Sequence, residues 1–256
     1  EHNERKQRDY WYSVARDAVD LESAQEIGRK TGLRSAARLG ARKIATCEVP
    51  VIFEAPIASS LIGHFASAIS GGSLYRKSSF LLDSIGEQVF APDIQILDLP
   101  YLPKGLGSGP FDEDGVATME RKIVENGIVQ GYFLGSYSAR KLKMDTTGNA
   151  GGAHNLIIQS ANTLDVPALL KKLHTGLLVT ELLGHGVNGV TGDYSRGASG
   201  FWVENGRIAY PVEEITIAGN LKDIYRGILA IGDDVIVRGS KQSGSILIDR
   251  MTVAGD

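Results

Sequence analysis

The five histidines, His2, His64, His154, His174 and His185, are the first residues to weigh for metal chemistry. A zinc site on a helix needs two imidazoles one turn apart and a carboxylate beside them to activate water. No histidine of this chain is followed by Glu, so H-E-x-x-H and its longer relatives are absent. His64 has Ala68 where a helical partner would stand, and Gly176 and Gly184 interrupt the span between His174 and His185. Histidines satisfied by backbone or solvent are the preferred reading; a zinc site assembled from distant His and Asp is the other. Nucleophiles are as sparse. Gly197-Ala-Ser-Gly200 comes near the G-x-S-x-G elbow without matching it. Cys47 is the single cysteine, which excludes an internal disulfide and every C-x-x-C site. It stands just before a buried-looking strand and reads as a small core residue, not as an activated thiolate.

Phosphate chemistry fails on context. Gly184-His-Gly-Val-Asn-Gly189 matches G-x-G-x-x-G, follows an apolar run (LLVTELL) and has Glu204 downstream. A dinucleotide fingerprint must open a helix whose N-terminus holds the pyrophosphate. The residues that follow, VTGDYSRGASG, are loop chemistry, and Glu204 belongs to an Asn-Gly hairpin. No Walker sequence occurs, and Arg140–Lys143 and Lys171-Lys172 read as solvated faces. One polar constellation remains, Thr191–Gly200. With the neighbouring His185, its Asp193, Ser195 and Arg196 are read as a peptide- or partner-facing loop; the alternative is a turn bonded to itself through Asp193 and Ser195.

The elements that must position these residues are legible in outline. Tyr10, Tyr12 and Val14 alternate with Trp11 and Ser13 and predict a strand. Ser23-Ala-Gln-Glu26 is a capping box. It opens a helix whose small and apolar positions, Leu33, Ala36, Ala37, Gly40 and Ile44, predict close packing on a sheet. Pro50–Phe53 predicts a buried strand and Ile57–Ser70 a second helix ended by Gly71-Gly72. Ile94–Leu97 predicts a strand and Leu99–Asp114 a long Pro/Gly-rich loop, a length that is more often functional than filler. KIVENGIVQ and FWVENGRIAYPV each set Asn-Gly between β-rich runs, the signal for a type I′ hairpin. Their likeness raises an internal duplication. Ser136–Lys143 predicts a basic helix, His154–Ser160 a strand, and Pro167–Leu173 a helix capped by Asp165. Alternation resumes after Pro211, Asp223–Leu229 predicts a helix, and Val235–Val237 and Ser245–Val253 predict closing strands. Strands outnumber helices, which gives an α+β fold of mixed or antiparallel sheets with Asn-Gly hairpins and a few packed helices. The division expected is a central α/β region over residues 1–115 and a β-rich C-terminal domain over 116–256.

Composition narrows the classes further. The 256 residues carry 27 basic and 30 acidic side chains, a net charge of −3, which argues against a large nucleic-acid surface. No stretch has the ~18 uncharged apolar residues of a membrane span. The 31 glycines exceed the usual ~7% share and mark where turns are expected to concentrate.

Four stretches carry a resemblance: Gly63–Val89 (GHFASAISGGSLYRKSSFLLDSIGEQV), Asp112–Thr118, Ile123–Tyr132 and above all Thr191–Leu221 (TGDYSRGASGFWVENGRIAYPVEEITIAGNL). Through them the chain resembles the TldD/PmbA family of bacterial peptidase proteins, formerly called modulators of DNA gyrase, on its PmbA (TldE) branch. The resemblance runs from end to end and implies a family N-terminal domain that is absent from this chain. It implies proteolysis of unfolded peptides by a cytoplasmic heterodimer with a TldD-like catalytic subunit, in peptide maturation and antitoxin turnover. In TldD a helix carries His-Glu-x-x-x-His, two metal ligands and a catalytic Glu. Aligned on this chain, those positions fall on Gly63, His64 and Ala68. The resemblance therefore implies no metal and no catalytic residue here, with zinc expected in the TldD partner. On this reading the chain completes a closed cavity with its partner, offers sheet edges to extended substrates, and is active only with TldD; alone it could form a homodimer. Two alternatives are a peptidase in its own right with an unconventional site near Thr191–Gly200 and His185, and a regulatory binding protein acting on gyrase or RNA regulators.

Overall fold

The computed structural model describes residues 6–255, so His2 lies outside the described residues. The elements run α1 (Ala24–Ala37), β1 (Cys47–Phe53), α2 (Ala55–Ala68), α3 (Gly71–Tyr75), β2 (Ile94–Asp98), β3 (Arg121–Glu125) and β4 (Ile128–Val129). They continue with α4 (Ser136–Leu142), β5 (Leu156–Ser160), β6 (Thr163–Leu164), α5 (Val166–Leu173), β7 (Gly176–Leu183) and β8 (Asp193–Glu204). The last are β9 (Arg207–Asn220), α6 (Leu221–Arg226), β10 (Ile228–Gly232), β11 (Lys241–Gln242) and β12 (Ile246–Ala254). The α+β class is as expected.

Two mixed sheets carry the fold. The larger has the order β1-β7-β8-β9-β12-β10-β6, and β1 also pairs with β12. Strands β1, β7, β8, β9 and β12 therefore close into a ring, with β10 and β6 attached to it. The smaller sheet has the order β11-β5-β2-β3-β4. Strands β1–β7, β10–β6 and β11–β5 pair in parallel and the remaining pairs are antiparallel. Each sheet takes strands from both sides of residue 115, so the expected boundary at 115/116 does not separate them. The end strands β4, β6 and β11 are two residues each, so the sheet ends offer little edge to an extended chain.

Period-two alternation assigns the ring's side chains to two cores. Val51, Phe53, Leu177, Val179, Ile246 and Ile248 join the main core with Leu61, Ile62 and Phe65 of α2. Their neighbours Ile52, Leu178 and Leu247 face the other way, against Leu169 and Leu173 of α5. Helix α5 starts as expected, with the Asp165 carboxylate accepting from the Ala168 N–H at 2.7 Å and Pro167 in the first turn, where no donor is missed. Both Asn-Gly turns place both residues at positive φ, Asn126 at 51° and Gly127 at 79°, Asn205 at 51° and Gly206 at 70°. That is the type I′ geometry whose twist matches the strands it joins. The two hairpins share this turn but sit in different sheets, and β8 and β9 are far longer than β3 and β4.

Several expectations need correction. Ser23 caps α1 by accepting from the Glu26 N–H, but the Glu26 carboxylate takes Arg29 instead of returning to the cap. Helix α1 ends at Ala37, short of Gly40 and Ile44, and it has no buried residue; Leu33 is 59% exposed. Ion pairs anchor it instead: Arg34 forks onto Glu54 at 2.6 and 2.8 Å, and Arg38 reaches Glu181 at 2.6 Å. Gly71-Gly72 opens α3 instead of closing α2, and Asp223–Leu229 divides into the end of α6 and the start of β10. Neither Tyr10–Val14 nor Val235–Val237 is a strand. The two segments meet through side chains, with Arg238 stacked on Trp11 and Tyr12 at 4.1 and 4.2 Å from the ring centroids. No helix among the described residues is long and apolar enough to cross a membrane.

Candidate functional site

The Thr191–Gly200 stretch is not a loop. Residues 193–204 form β8, hydrogen-bonded to β7 on one side and β9 on the other. Glycine is required there by crowding: a Cβ on Gly200 would lie 1.9 Å from the Leu178 carbonyl oxygen. Strand alternation then separates the residues expected to act together. Tyr194 is buried and Arg196 half-buried, while Asp193 and Ser195 are exposed. Asp193 is committed locally, accepting from Thr191 Oγ1 at 2.6 Å and Asn220 Nδ2 at 3.1 Å. These bonds, the first above all, hold its carboxyl below the usual carboxylate range. The preceding turn is closed by Asn188, whose side-chain oxygen accepts from the Val190 and Thr191 amides.

Gly184–Gly189 opens no helix, so it lacks the dinucleotide geometry. It packs as backbone against β8, with the Ser195 N–H donating to the Gly186 carbonyl at 2.6 Å. A Cβ at Gly186 would meet the Ser195 oxygen at 1.8 Å. Gly186→Ala is therefore expected to destabilise the chain by about 1–3 kcal/mol, the range for overpacking, measured by urea unfolding with circular dichroism.

A cavity of about 250 Å³ lies between α2 and β8. Helix α2 supplies His64, Ser67 and Ala68, which share one face by their i, i+3, i+4 spacing. Arg196 enters from β8, His185 and Val187 from the loop before it, and Phe80 and Leu221 complete an apolar side. The structure thus brings together His185 and Arg196 of the expected set and leaves Asp193 and Ser195 out. It adds His64 and Tyr194, whose rings meet edge-on with centroids 6.1 Å apart. Three buried polar atoms here have no hydrogen-bond partner: His64 Nε2, Tyr194 Oη and Arg196 Nε. Burial raises the Tyr194 phenol to about 12, opposed by the nearby Arg196 charge. Burial, with Arg196 adding to it, lowers the His64 pKa. The sequence signal for His64 was its alignment with the catalytic Glu of the TldD helix.

The His64 shift has a sign that can be tested. The folded chain keeps this imidazole neutral where the unfolded chain, with a pKa of about 6.5, takes up a proton. Its contribution is complete above pH ~6.5 and is lost as the pH falls below that value, until the folded pKa is also passed. His64→Gln is expected to flatten that part of the stability curve, measured as urea midpoints between pH 7.5 and 5 against the unaltered chain.

A zinc ion does not fit this donor set. Gly63 and Ala68 have no donor atom, and a Cβ at Gly63 would touch the Lys241 side chain at 3.6 Å, not the cavity. Among the described residues no group of three His, Cys, Asp or Glu could hold a metal. Cys47 is half-buried against the main core, and burial pushes its thiol up, the opposite of an activated thiolate.

A closed ring of mixed strands with a glycine-lined β8, a flanking small sheet and a helix across the cavity is an architecture already seen in solved proteins. A candidate modulator of DNA gyrase from Thermotoga maritima superposes with a TM-score of 0.89 at 37% identity, over 96% of this chain and 59% of that one. TldE from Thermococcus kodakarensis shares the fold, with a TM-score of 0.83 at 22% identity over 95% of this chain and 58% of that one. In sequence, a protein called metalloprotease PmbA homolog from Haemophilus influenzae is 52% identical over 98% of this chain and 55% of its own length. The model of the PmbA/TldA metallopeptidase C-terminal domain matches residues 46–255. The chain belongs to that family. It spans little more than half the length of the curated relatives it matches.

Proposed function

We propose that this chain is part of a non-catalytic subunit in a TldD–PmbA/TldE-type metalloprotease that degrades or matures unfolded peptides. The observation that carries the reading is the pair of residues without donor atoms on helix α2. The fold and the helix beside a cavity are present, while Gly63 and Ala68 stand at two positions where the family resemblance puts metal ligands. The third position, His64, has no carboxylate to activate water. Zinc and the hydrolytic step belong on this reading to a TldD-like partner, and the chain contributes the wall of a shared chamber. A cytoplasmic location, heterodimer formation with that partner and homodimers in its absence are parts of the same proposal. The near-neutral charge favours peptide over nucleic acid as the substrate class.

The test is zinc content and cleavage of casein by the full-length protein that contains this chain, alone and mixed with a TldD-like subunit. No zinc alone and cleavage only in the mixture are expected. Stoichiometric zinc and cleavage by the protein alone would replace this reading with that of a peptidase in its own right.

A further inference from the structure

We propose that the cavity between α2 and β8 is a carboxylate pocket that receives the C-terminal residue of a peptide, with Arg196 as its anion-binding group. The inference deepens the peptide-handling reading and rests on it. The starting observation is an arginine without a counter-charge. Two arginines of little exposure, Arg34 and Arg38, are neutralised, the first by Glu54 and Asp9 and the second by Glu181. Arg196 enters none of the ion pairs among the described residues, its Nε is buried without a partner, and no acidic residue lines the cavity it faces. A half-buried cation left in this state has lost hydration without gaining an anion, and an incoming anion restores the balance.

The opposite wall is suited to the same ligand. His64 lines the same cavity from α2, and a neutral imidazole can donate one hydrogen bond to a carboxylate oxygen while Arg196 holds the group through its planar fork. Phe80, Val187 and Leu221 line the other side, where a terminal apolar side chain would rest. The volume of about 250 Å³ falls below that of pockets for drug-sized ligands and suits one terminal residue.

The local backbone argues against phosphate as the natural occupant. Phosphate sites gather several free amides into a concave nest. Five of the six amides over residues 187–192 of the adjoining loop are already used. Those of Val187, Asn188 and Gly192 donate to backbone carbonyls, and those of Val190 and Thr191 donate to the Asn188 side chain. One guanidinium, two imidazoles, the hydroxyls of Ser67, Ser73 and Ser78 and an apolar wall remain, a donor set that suits a carboxylate attached to a hydrophobic residue.

The experiment titrates the chain with a fluorescein-labelled pentapeptide ending in leucine, once with a free C-terminal carboxylate and once as the C-terminal amide, followed by fluorescence anisotropy. The acid is expected to bind about 10- to 100-fold more tightly, the range for losing charge-assisted hydrogen bonds. Arg196→Gln should remove that preference, and Arg196→Lys should retain part of it. Inorganic phosphate should displace the acid only weakly. Equal binding of acid and amide, no binding of either, or an acid preference that survives Arg196→Gln would overturn the proposal. Efficient displacement by phosphate would also overturn it, in favour of a general anion site. If Arg196→Gln does not fold, the acid–amide comparison on the unaltered chain still decides. Failure here, with cleavage intact in the subunit mixture, removes the pocket alone; selective acid binding without any cleavage in the mixture removes the subunit assignment alone.

Discussion

Asp98→Ala is expected to lower stability by about 3–5 kcal/mol, the cost of removing one member of a buried charged network, seen as a lower urea midpoint. Asp98 ends β2 and is fully buried. Its carboxylate accepts from the His154 backbone N–H at 2.8 Å and from Asn149 Nδ2 at 2.9 Å, and His154 Nδ1 lies 3.3 Å away. Arg121 is held nearby, donating to Asn149 Oδ1 at 2.8 Å and to the Tyr132 carbonyl at 3.0 Å. Burial lowers the Arg121 pKa and the Asp98 charge opposes that shift. Alanine would strand two donors and leave the guanidinium without the opposing Asp98 charge. Asp98→Asn keeps the shape and part of the bonding, so it should cost less. Equal losses for the two variants would show that the charge is not what matters.

Phe90→Ala is expected to cost a similar amount, about 3–5 kcal/mol, through a cavity that its neighbours cannot fill. Phe90 is fully buried, edge-on to Phe65 of α2 at 4.8 Å and stacked on Tyr225 of α6 at 4.6 Å. It therefore joins two helices that share no sequence neighbourhood. Tyr225 is fixed at its other end by donating from its hydroxyl to the Leu61 carbonyl at 2.9 Å, and burial pushes its phenol pKa well up. The cluster cannot collapse into the space because each ring is already held by the backbone or by another ring. Phe90→Leu, which retains most of the volume, should recover more than half of the loss. Calorimetric or urea unfolding of both variants separates a cavity effect from a general loss of packing.

What could be read in the sequence was local. Ser23 and Asp165 announce helix starts because the capping bond spans three residues, and Asn126-Gly127 and Asn205-Gly206 announce hairpins because a type I′ turn needs two residues at positive φ. The first part of strand β8, Asp193–Gly200, reads as a loop for an equally physical reason. Its glycines are unfavourable in an isolated strand, and only the crowded ring, which brings the Leu178 carbonyl against Gly200, makes them necessary. Tyr10–Val14 and Val235–Val237 misled in the opposite direction. They have strand-like alternation, but their aromatic and arginine side chains stack without a ladder. The cavity was half legible. Arg196 and His185 stood in a suggestive stretch, but their joining to His64 depends on α2 crossing β8, a contact between distant segments that no local spacing encodes. Asp193 and Ser195 were drawn in by adjacency, and strand alternation turns them away.

The ring also governs how the molecule comes into being. Its closing strand β12 pairs Val253 with Cys47 on one side and Thr252 with Ala218 on the other. Strand β1 (Cys47–Phe53) leaves the ribosome long before its antiparallel partner β12 (Ile246–Ala254). Until then one side of β1 has no mate, and the apolar residues destined for both cores remain open to solvent. Such far-apart pairings make a slow search and a long interval in which nascent chains can associate wrongly. The interval between the two strands is the one in which shelter of the growing chain matters, and the yield is expected to respond to chaperone supply.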